Sequence, residues 1–225
     1  MLRRAKKRGR RKAVVLLSGG LDSATVLYWA LARGYACTAL VVDYGQRHRR
    51  EIRAARAIAR AAGVPIRLVR MTLPWGGSAL TDRQRALPKN RSFKRIGQGI
   101  PATYVPARNT LFLSLALGLA ETIGAERILI GANAIDFSGY PDCRPAYITA
   151  FQKAARLGTK AGVEGKGVRI EAPLIRKSKA QIIRLGLKLG VPYEKSWSCY
   201  QGGSRPCGRC DSCLLREKGF SEAGF

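Results

Sequence analysis

A parallel α/β sheet flanked by helices is the fold class this sequence predicts, with a small cysteine-bearing segment at its C-terminal end. Three observations predict it. A short apolar run at 13–18 (AVVLLS) breaks into glycines and opens a helical pattern. Strand-like runs then alternate with helix-like runs, an order that gives parallel strands joined by right-handed crossovers. Four of the six cysteines fall between positions 199 and 213.

The run at 13–18 has no polar alternation, which suits a strand buried on both faces. Residues 22–34 (DSATVLYWALARG) read as a helix stopped by Gly34, and 36–45 (ACTALVVDYG) as a second strand. Residues 48–63 give an amphipathic helix closed by Gly63, and 65–73 (PIRLVRMTL) a third strand. Residues 74–106 break the rhythm. They hold no strong periodicity and four prolines, and an irregular segment this long inside a domain is usually functional or disordered. Regularity returns with a helix over 107–124 and a strand over 126–133. A polar loop over 134–145 (AIDFSGYPDCRP) leads into a helix over 146–158. A strand over 167–174 and a helix over 178–190, with Ser178 as its N-cap, complete the pattern. The order is that of a Rossmann-like sheet.

The chain's 225 residues suit one such domain plus a small appendage. Its parts read as a basic, disordered tail at 1–12, an α/β domain at 13–190 and a metal-binding segment at 191–225. The longest apolar run, 110–120, is shorter than the roughly 18 residues that span a bilayer. The basic start lacks a hydrophobic core and cleavage site of a signal peptide. The expectation is therefore no membrane and a cytoplasmic, reducing compartment, where clustered cysteines more often bind metal than pair as disulfides.

Charge is the unusual feature. Lys and Arg number 41 against 14 Asp and Glu, a net charge of +27. The tail carries eight cations and no anion, so most of the excess lies elsewhere. A basic surface of this kind fits a nucleic-acid or polyphosphate partner, or a solvated surface around anionic small ligands. No block interleaves basic with aromatic residues, which favours the second reading.

Two motifs carry chemistry. The first, Ser18-Gly19-Gly20-Leu21-Asp22-Ser23, lies between the first strand and first helix. Successive backbone N–H groups at such a turn wrap an anion, and the helix N-terminus adds partial positive charge. Glycines allow close approach, Ser18 and Ser23 offer hydroxyls, and Asp22 suits either Mg²⁺ orientation or helix capping. No Gly-Lys-Ser/Thr ending follows, so this is not the usual P-loop. The second motif is Cys199-x7-Cys207-x2-Cys210-x2-Cys213, with Gly202, Gly203, Pro206 and Gly208 between. Four thiolates suit a closed tetrahedral Zn²⁺ site of structural role, with an iron–sulfur cluster as the chemical rival. Cys37 and Cys143 read as packed residues. His48, the only histidine, reads equally as a locally bonded helix-start residue or a site residue.

The loop resembles the SGGxDS signature of the ATP pyrophosphatases, or PP-loop enzymes, which cleave ATP between the α and β phosphates. Further stretches narrow the likeness: VDYGQRHRREI (42–52), YVPARNTLFLSLAL (104–117), GANAIDFSGYPDCRP (131–145), SWSCY (196–200) and PCGRCDSCLLREKGF (206–220). Together with SGGLDS they resemble the 7-cyano-7-deazaguanine synthase family over 18–220. The resemblance implies an ATP-dependent ligase. It converts 7-carboxy-7-deazaguanine and ammonium to the nitrile through adenylated acid and amide, releasing AMP and pyrophosphate. It implies one structural zinc on the four cysteines, and Mg²⁺ with ATP. ATP contacts fall on Leu17, Ser18, Gly19, Gly20, Leu21, Asp22, Ser23, Ala24, Thr25 and Val26, and on Tyr44, Gly45, Gln46 and Arg47. Ser18, Asp22 and Ser23 take the catalytic roles. Substrate contacts fall on Arg108, Asn109, Asp136, Ser138, Tyr140, Asp142 and Arg144. The chain departs from the family pattern at Ala146, where an acidic residue is expected.

Two other readings stand beside this one. The charge fits a tRNA-modifying enzyme of the same superfamily, although 225 residues leave little room for an RNA-binding domain. A zinc-stabilised nucleic-acid-binding module explains the cysteines and the charge but leaves SGGLDS without purpose. A homodimer is compatible with the sequence, and nucleic acid is not required by it.

Overall fold

The computed structural model describes residues 10–134 and 139–225. Five parallel strands form one sheet: β1 (Lys12–Leu16), β2 (Ala36–Asp43), β3 (Ile66–Arg70), β4 (Arg127–Leu129) and β5 (Arg169–Glu171). Their spatial order is β3-β2-β1-β4-β5. Ala13 pairs with Cys37 on one side and with Arg127 on the other, so β1 is the central strand.

The helices are α1 (Leu21–Ala32), α2 (Arg50–Ala61), α3 (Phe93–Ile96), α4 (Arg108–Ile123), α5 (Pro145–Leu157), α6 (Lys160–Val163), α7 (Lys179–Lys188) and α8 (Asp211–Ala223). Side chains of β1 and β2 alternate between two cores, as the strand period of two requires. Ala13, Val15, Ala39 and Val41 face the core packed by α1, α2 and α7. Val14, Leu16, Leu40 and Val42 face the core packed by α4 and α5. Burial on both faces is why these strands read as continuous apolar runs.

The chain leaves β1 toward β2 and later returns beside β1 as β4. The connections therefore diverge at the C-terminal ends of β1 and β4, the switch point where such sheets open a ligand crevice. Gly131 lets the end of β4 approach α1 closely. A Cβ there would lie 3.1 Å from Ser23 N.

Strands β4 and β5 are shorter than the runs that predicted them, and the residues past Leu129 line the crevice instead of extending the ladder. The helices over 22–34, 48–63 and 107–124 appear within two residues of expectation, with Gly34, Gly63 and Gly124 at positive φ. Ser178 caps α7 in a reciprocal capping box with Gln181.

Helix α8 was not expected from the sequence. Charged residues interrupt its apolar positions, so no stripe stands out. It is held by packing: Gly219 sits where a Cβ would lie 2.5 Å from Lys179 Cγ, and Phe220 meets Tyr193 edge-on at 5.7 Å. Val191 and Tyr193 belong to the core on the α1 side.

The irregular segment 74–106 is tied down through its middle, at 82–85 and 89–91. Arg47 donates to the carbonyls of Asp82 (2.9 Å), Arg83 (3.2 Å) and Arg85. Lys89 bridges to Cys210, Asn90 N donates to Arg209 O at 2.8 Å, and Arg91 pairs with Asp211. Among the described residues, no helix is long and apolar enough to cross a membrane.

Candidate active site and cysteine cluster

A pocket of about 260 Å³ opens at the C-terminal ends of β1, β2 and β4. Its floor is the turn from β1 into α1. Ser18 and Ser23 hydroxyls lie 3.0 Å apart, Ser18 N donates to Ser23 Oγ at 3.2 Å, and Gly20 N donates to Ser18 Oγ at 3.3 Å. The turn is thereby curled back on its own hydroxyls. Gly20 stands at the N-cap of α1, and no side chain caps that end. The first-turn N–H groups therefore face the pocket with the positive end of the helix dipole.

Gly19 makes this geometry affordable to the backbone. Its φ is +86°, and a Cβ would lie 2.2 Å from Glu51 O and 2.6 Å from Ala55 N. The loop thus rests directly on α2. Its carbonyl accepts from Trp197 N at 2.9 Å, which draws the C-terminal segment over the pocket as a roof.

Charge on the pocket walls is arranged in pairs. Lys179 Nζ binds both carboxylate oxygens of Asp22, at 2.9 and 2.8 Å. Arg108 reaches the Tyr44 hydroxyl at 3.5 Å. Burial pushes Tyr44 upward, so it stays a neutral phenol, and burial raises Glu51 to about 7 against the opposing pull of Arg108. Burial lowers Arg216, whose guanidinium is fixed by Ser196 Oγ (2.8 Å), Ser198 Oγ (3.3 Å) and Tyr193 O (3.0 Å).

Most residues singled out by sequence come together here. Leu17, Ser18, Gly20, Leu21, Asp22, Ser23, Tyr44, Gln46, Arg108, Asn109 and Tyr140 line the pocket. Others lie one layer back. Ala24, Thr25 and Val26 are buried in α1, where Thr25 Oγ1 meets Tyr193 OH at 2.7 Å. Gly45 and Arg47 lie outside the lining, Arg47 being spent on the 82–85 carbonyls. Asp142 accepts from Asn109 N at 2.9 Å and so braces the start of α4. Arg144 is exposed outside the pocket. Asp136 and Ser138 lie outside the described residues.

Sequence reading missed Lys179, Glu51, Trp197, Tyr200 and Arg216, all of which line the pocket. Lys179 sits on a helix remote in sequence from the loop with no local motif to mark it, whereas Glu51, Trp197, Tyr200 and Arg216 lie inside the family-like stretches without a role assigned to them. Cys143, read as packed, is buried against Asn109 Nδ2 at 3.0 Å and reaches the pocket wall.

The four cysteines 199, 207, 210 and 213 converge, with all Sγ atoms within 4.8 Å of one another. Tetrahedral thiolate coordination at about 2.3 Å puts sulfurs about 3.8 Å apart, so the cluster fits one such ion with little adjustment. Gln201 N and Cys207 N donate to Cys199 Sγ at 3.4 and 3.3 Å, and Cys210 N to Cys207 Sγ at 3.4 Å. Against the opposing effect of burial, backbone donors that include Cys210 N hold the Cys207 thiol below its ordinary value. The cluster closes the loop before α8 and adjoins the pocket roof through Trp197 and Tyr200.

A parallel sheet in this order, with a hydroxyl-rich glycine loop at its switch point, is the architecture of a Rossmann-like α/β protein. The fold matches the solved NMN synthetase of Francisella tularensis with a TM-score of 0.50, covering 96% of this chain and 87% of that one at 16% identity. The model of queuosine biosynthesis protein QueC matches residues 12–224. The chain is 58% identical over 219 residues to the 7-cyano-7-deazaguanine synthase of Thermosynechococcus vestitus, covering 95% of this chain and 93% of that one. It is 60% identical over 217 residues to the enzyme of the same name from Anaeromyxobacter dehalogenans, with the same coverage. The chain belongs to the QueC family of queuosine biosynthesis proteins.

Proposed function

We propose that the protein is an ATP-dependent ligase that makes 7-cyano-7-deazaguanine from 7-carboxy-7-deazaguanine and ammonium. The supporting observation is the uncapped α1 N-terminus beside the Asp22–Lys179 pair, inside a pocket large enough for a nucleotide. The substrate carboxylate attacks the ATP α-phosphate, and pyrophosphate leaves into the loop formed by Ser18, Gly19, Gly20 and Ser23. Lys179 offsets the charge that builds on the departing pyrophosphate. Asp22 would hold a Mg²⁺ ion arriving with ATP, which would neutralise phosphate charge there. Ammonia displaces AMP to give the amide. A second adenylation, on the amide oxygen, lets AMP depart again and leaves the nitrile. Each nitrile therefore consumes two ATP.

The family's purine-like substrate fits the wall formed by Arg108, Asn109 and Tyr140, whose Tyr140 hydroxyl is held 3.0 Å from Thr103 Oγ1. Asp142 acts through Asn109 by fixing the start of α4. Tyr44, with its ring against Phe112 at 5.5 Å, and Gln46 shape the nucleotide side. Asp136, Ser138 and Arg144 are the remaining substrate contacts that the family resemblance implies. Cys199, Cys207, Cys210 and Cys213 would hold Zn²⁺. With four protein ligands its role is structural, pinning the roof to the 89–91 strap. The working compartment is cytoplasmic.

The decisive assay incubates purified protein with ATP, ammonium and 7-carboxy-7-deazaguanine. Mass spectrometry should detect the nitrile, and chromatography should show AMP rather than ADP. ADP as the main nucleotide product contradicts the proposal.

A further inference from the structure

The first turn of α2 carries a carboxylate that none of the motif assignments uses. Glu51 lines the main pocket and also a second recess beside it. Tyr44, Gln46, Leu80 and Tyr200 are shared between the two, and Arg47 and His48 close the far side. The recess has about 10 Å³ of room, close to what one water-sized molecule needs. It is far too small for a nucleotide or a purine. We propose that this recess is the ammonium subsite and that Glu51 is the base that takes a proton from ammonium. This rests on the ligase reading above.

The chemistry requires such a group. Ammonium has no lone pair and cannot attack an acyl adenylate. A base has to stand where the cation can be held and where the freed ammonia reaches the reacting carbon. Glu51 stands between the recess and the main pocket, and its backbone carbonyl packs on Gly19 of the phosphate loop. Base and loop are therefore in fixed register. The groups facing Glu51 are Arg108 from α4, Tyr44 from the end of β2, Arg47 and His48 from the β2–α2 connection, and Tyr200 from the roof. Burial makes Glu51 a stronger base than an exposed glutamate, while Arg108 keeps a share of it ionised near neutrality.

The step balances. One N–H bond of ammonium breaks, and its proton passes to the Glu51 carboxylate. The nitrogen lone pair forms the C–N bond as the C–O bond to AMP breaks, and AMP leaves with that electron pair. The amide nitrogen loses its surplus proton to water, and Glu51 returns its own to solvent before the next turnover.

Glu51→Gln preserves shape and removes the base. Three rates are compared with wild type at pH 7: acid-dependent ATP–pyrophosphate exchange without amine, amide formation from ammonium, and hydroxamate formation from hydroxylamine, which is already neutral. Exchange should persist in the variant and fall far less than its ammonium rate, showing that the fold and adenylation survive. It should lose about 100-fold or more with ammonium and stay near wild type with hydroxylamine. Raising the pH to 9 should restore its ammonium rate as free ammonia accumulates. Wild-type use of ammonium by the variant overturns the proposal, as does equal loss with both nucleophiles while exchange persists. Absence of exchange in the wild type is a separate result: it defeats the ligase reading itself and this proposal with it.

Discussion

Lys179 and Asp22 stand 157 positions apart in sequence, yet Lys179 Nζ meets both carboxylate oxygens of Asp22 within 2.9 Å. The contact joins the first residue of α7 to the first turn of α1 across the mouth of the phosphate loop. Neither side chain is deeply buried, with 13% of Lys179 and 24% of Asp22 exposed. The pair is therefore a modest contributor to stability.

Lys179→Met should accordingly separate function from folding. Stability should fall by about 1–2 kcal/mol, between the values for exposed and buried ion pairs. Pyrophosphate exchange should fall about 100-fold, the usual cost of removing one donor aimed at developing charge. Exchange rates and melting curves on one preparation check both. Near-wild-type exchange would remove Lys179 from the pyrophosphate site.

Gly19→Ala should be disruptive for a different reason. The new methyl would meet backbone atoms of α2, at 2.2 Å from Glu51 O, and the φ of +86° is disfavoured for any side chain. Strain and overpacking together come to about 3 kcal/mol. For a chain of this size that lowers Tm by roughly 10 °C. Gly63→Ala is the control. It shares a positive φ of +64°, but its Cβ would have nothing within 4 Å, so the cost is only the strain. Similar Tm values for the two variants would show that the loop does not rest on α2.

Which parts were legible follows from where the signal resides. The central strands declare themselves because both faces are buried, and helix ends because Gly34, Gly63 and Gly124 adopt left-handed φ. Ser18 to Ser23 and the four cysteines are local motifs, so their convergence needs no knowledge of the fold. Lys179, Glu51 and Arg216 are different. Each reaches the pocket only because the sheet order brings α7, α2 and α8 together. Lys179 lies in no motif, and the stretches holding Glu51 and Arg216 do not say which of their members reaches the site. Helix α8 was hidden for a related reason: Gly219 and Phe220 fit α7 and Tyr193 by shape rather than by periodicity.

The raised pKa of Glu51 has a consequence for stability. Its folded value of about 7 lies above the ordinary 4.5, so the folded state binds the extra proton between those limits. The stability this confers is complete below about pH 4.5 and is lost as pH rises through 7. Glu51→Gln removes the titration. At pH 8 the variant should be more stable than wild type by up to about 3 kcal/mol, and at pH 4.5 the two should coincide. Denaturant melts at both pH values check this. A variant that is less stable at pH 8 would show that ionised Glu51 is well compensated in the fold.

The basic N-terminus can be divided by its contacts. Arg11 stacks on the Tyr35 ring at 4.7 Å and its carbonyl accepts from Ala36 N at 2.8 Å, while Lys12 opens β1. Deleting residues 1–9 should leave nitrile synthesis unchanged. Deleting through residue 11 should cost about 1 kcal/mol more, for the hydrogen bond and the cation–π contact. If an RNA is the true substrate, the shorter deletion should weaken tRNA binding, and that binding should fall steeply with salt. Filter binding at two salt concentrations tests it. Saturable tRNA binding that ATP turnover requires would favour an RNA-modifying enzyme over synthesis on the free base.

Cys210 is the sharpest test of the metal assignment. Its side chain is fully buried, it adjoins the Lys89 bridge, and it is the middle residue of the two Cys-x2-Cys steps. Four thiolates fill a tetrahedral ion, leaving no position to activate water or ammonia, so loss of one ligand acts on the fold. The wild type should hold one zinc per chain. Cys210→Ser should hold less, because the ligand set and the folded roof form together. Trp197 would then lose its anchored neighbours, and its hydrogen bond to Gly19 O would weaken, so Tm and turnover should fall in parallel. Elemental analysis, melting and product formation on the same preparation decide the matter. A fully stable, zinc-depleted and inactive Cys210→Ser protein would show that the metal takes part in the chemistry. Iron in the wild type, visible as colour and confirmed by elemental analysis, would replace the structural zinc with a cluster.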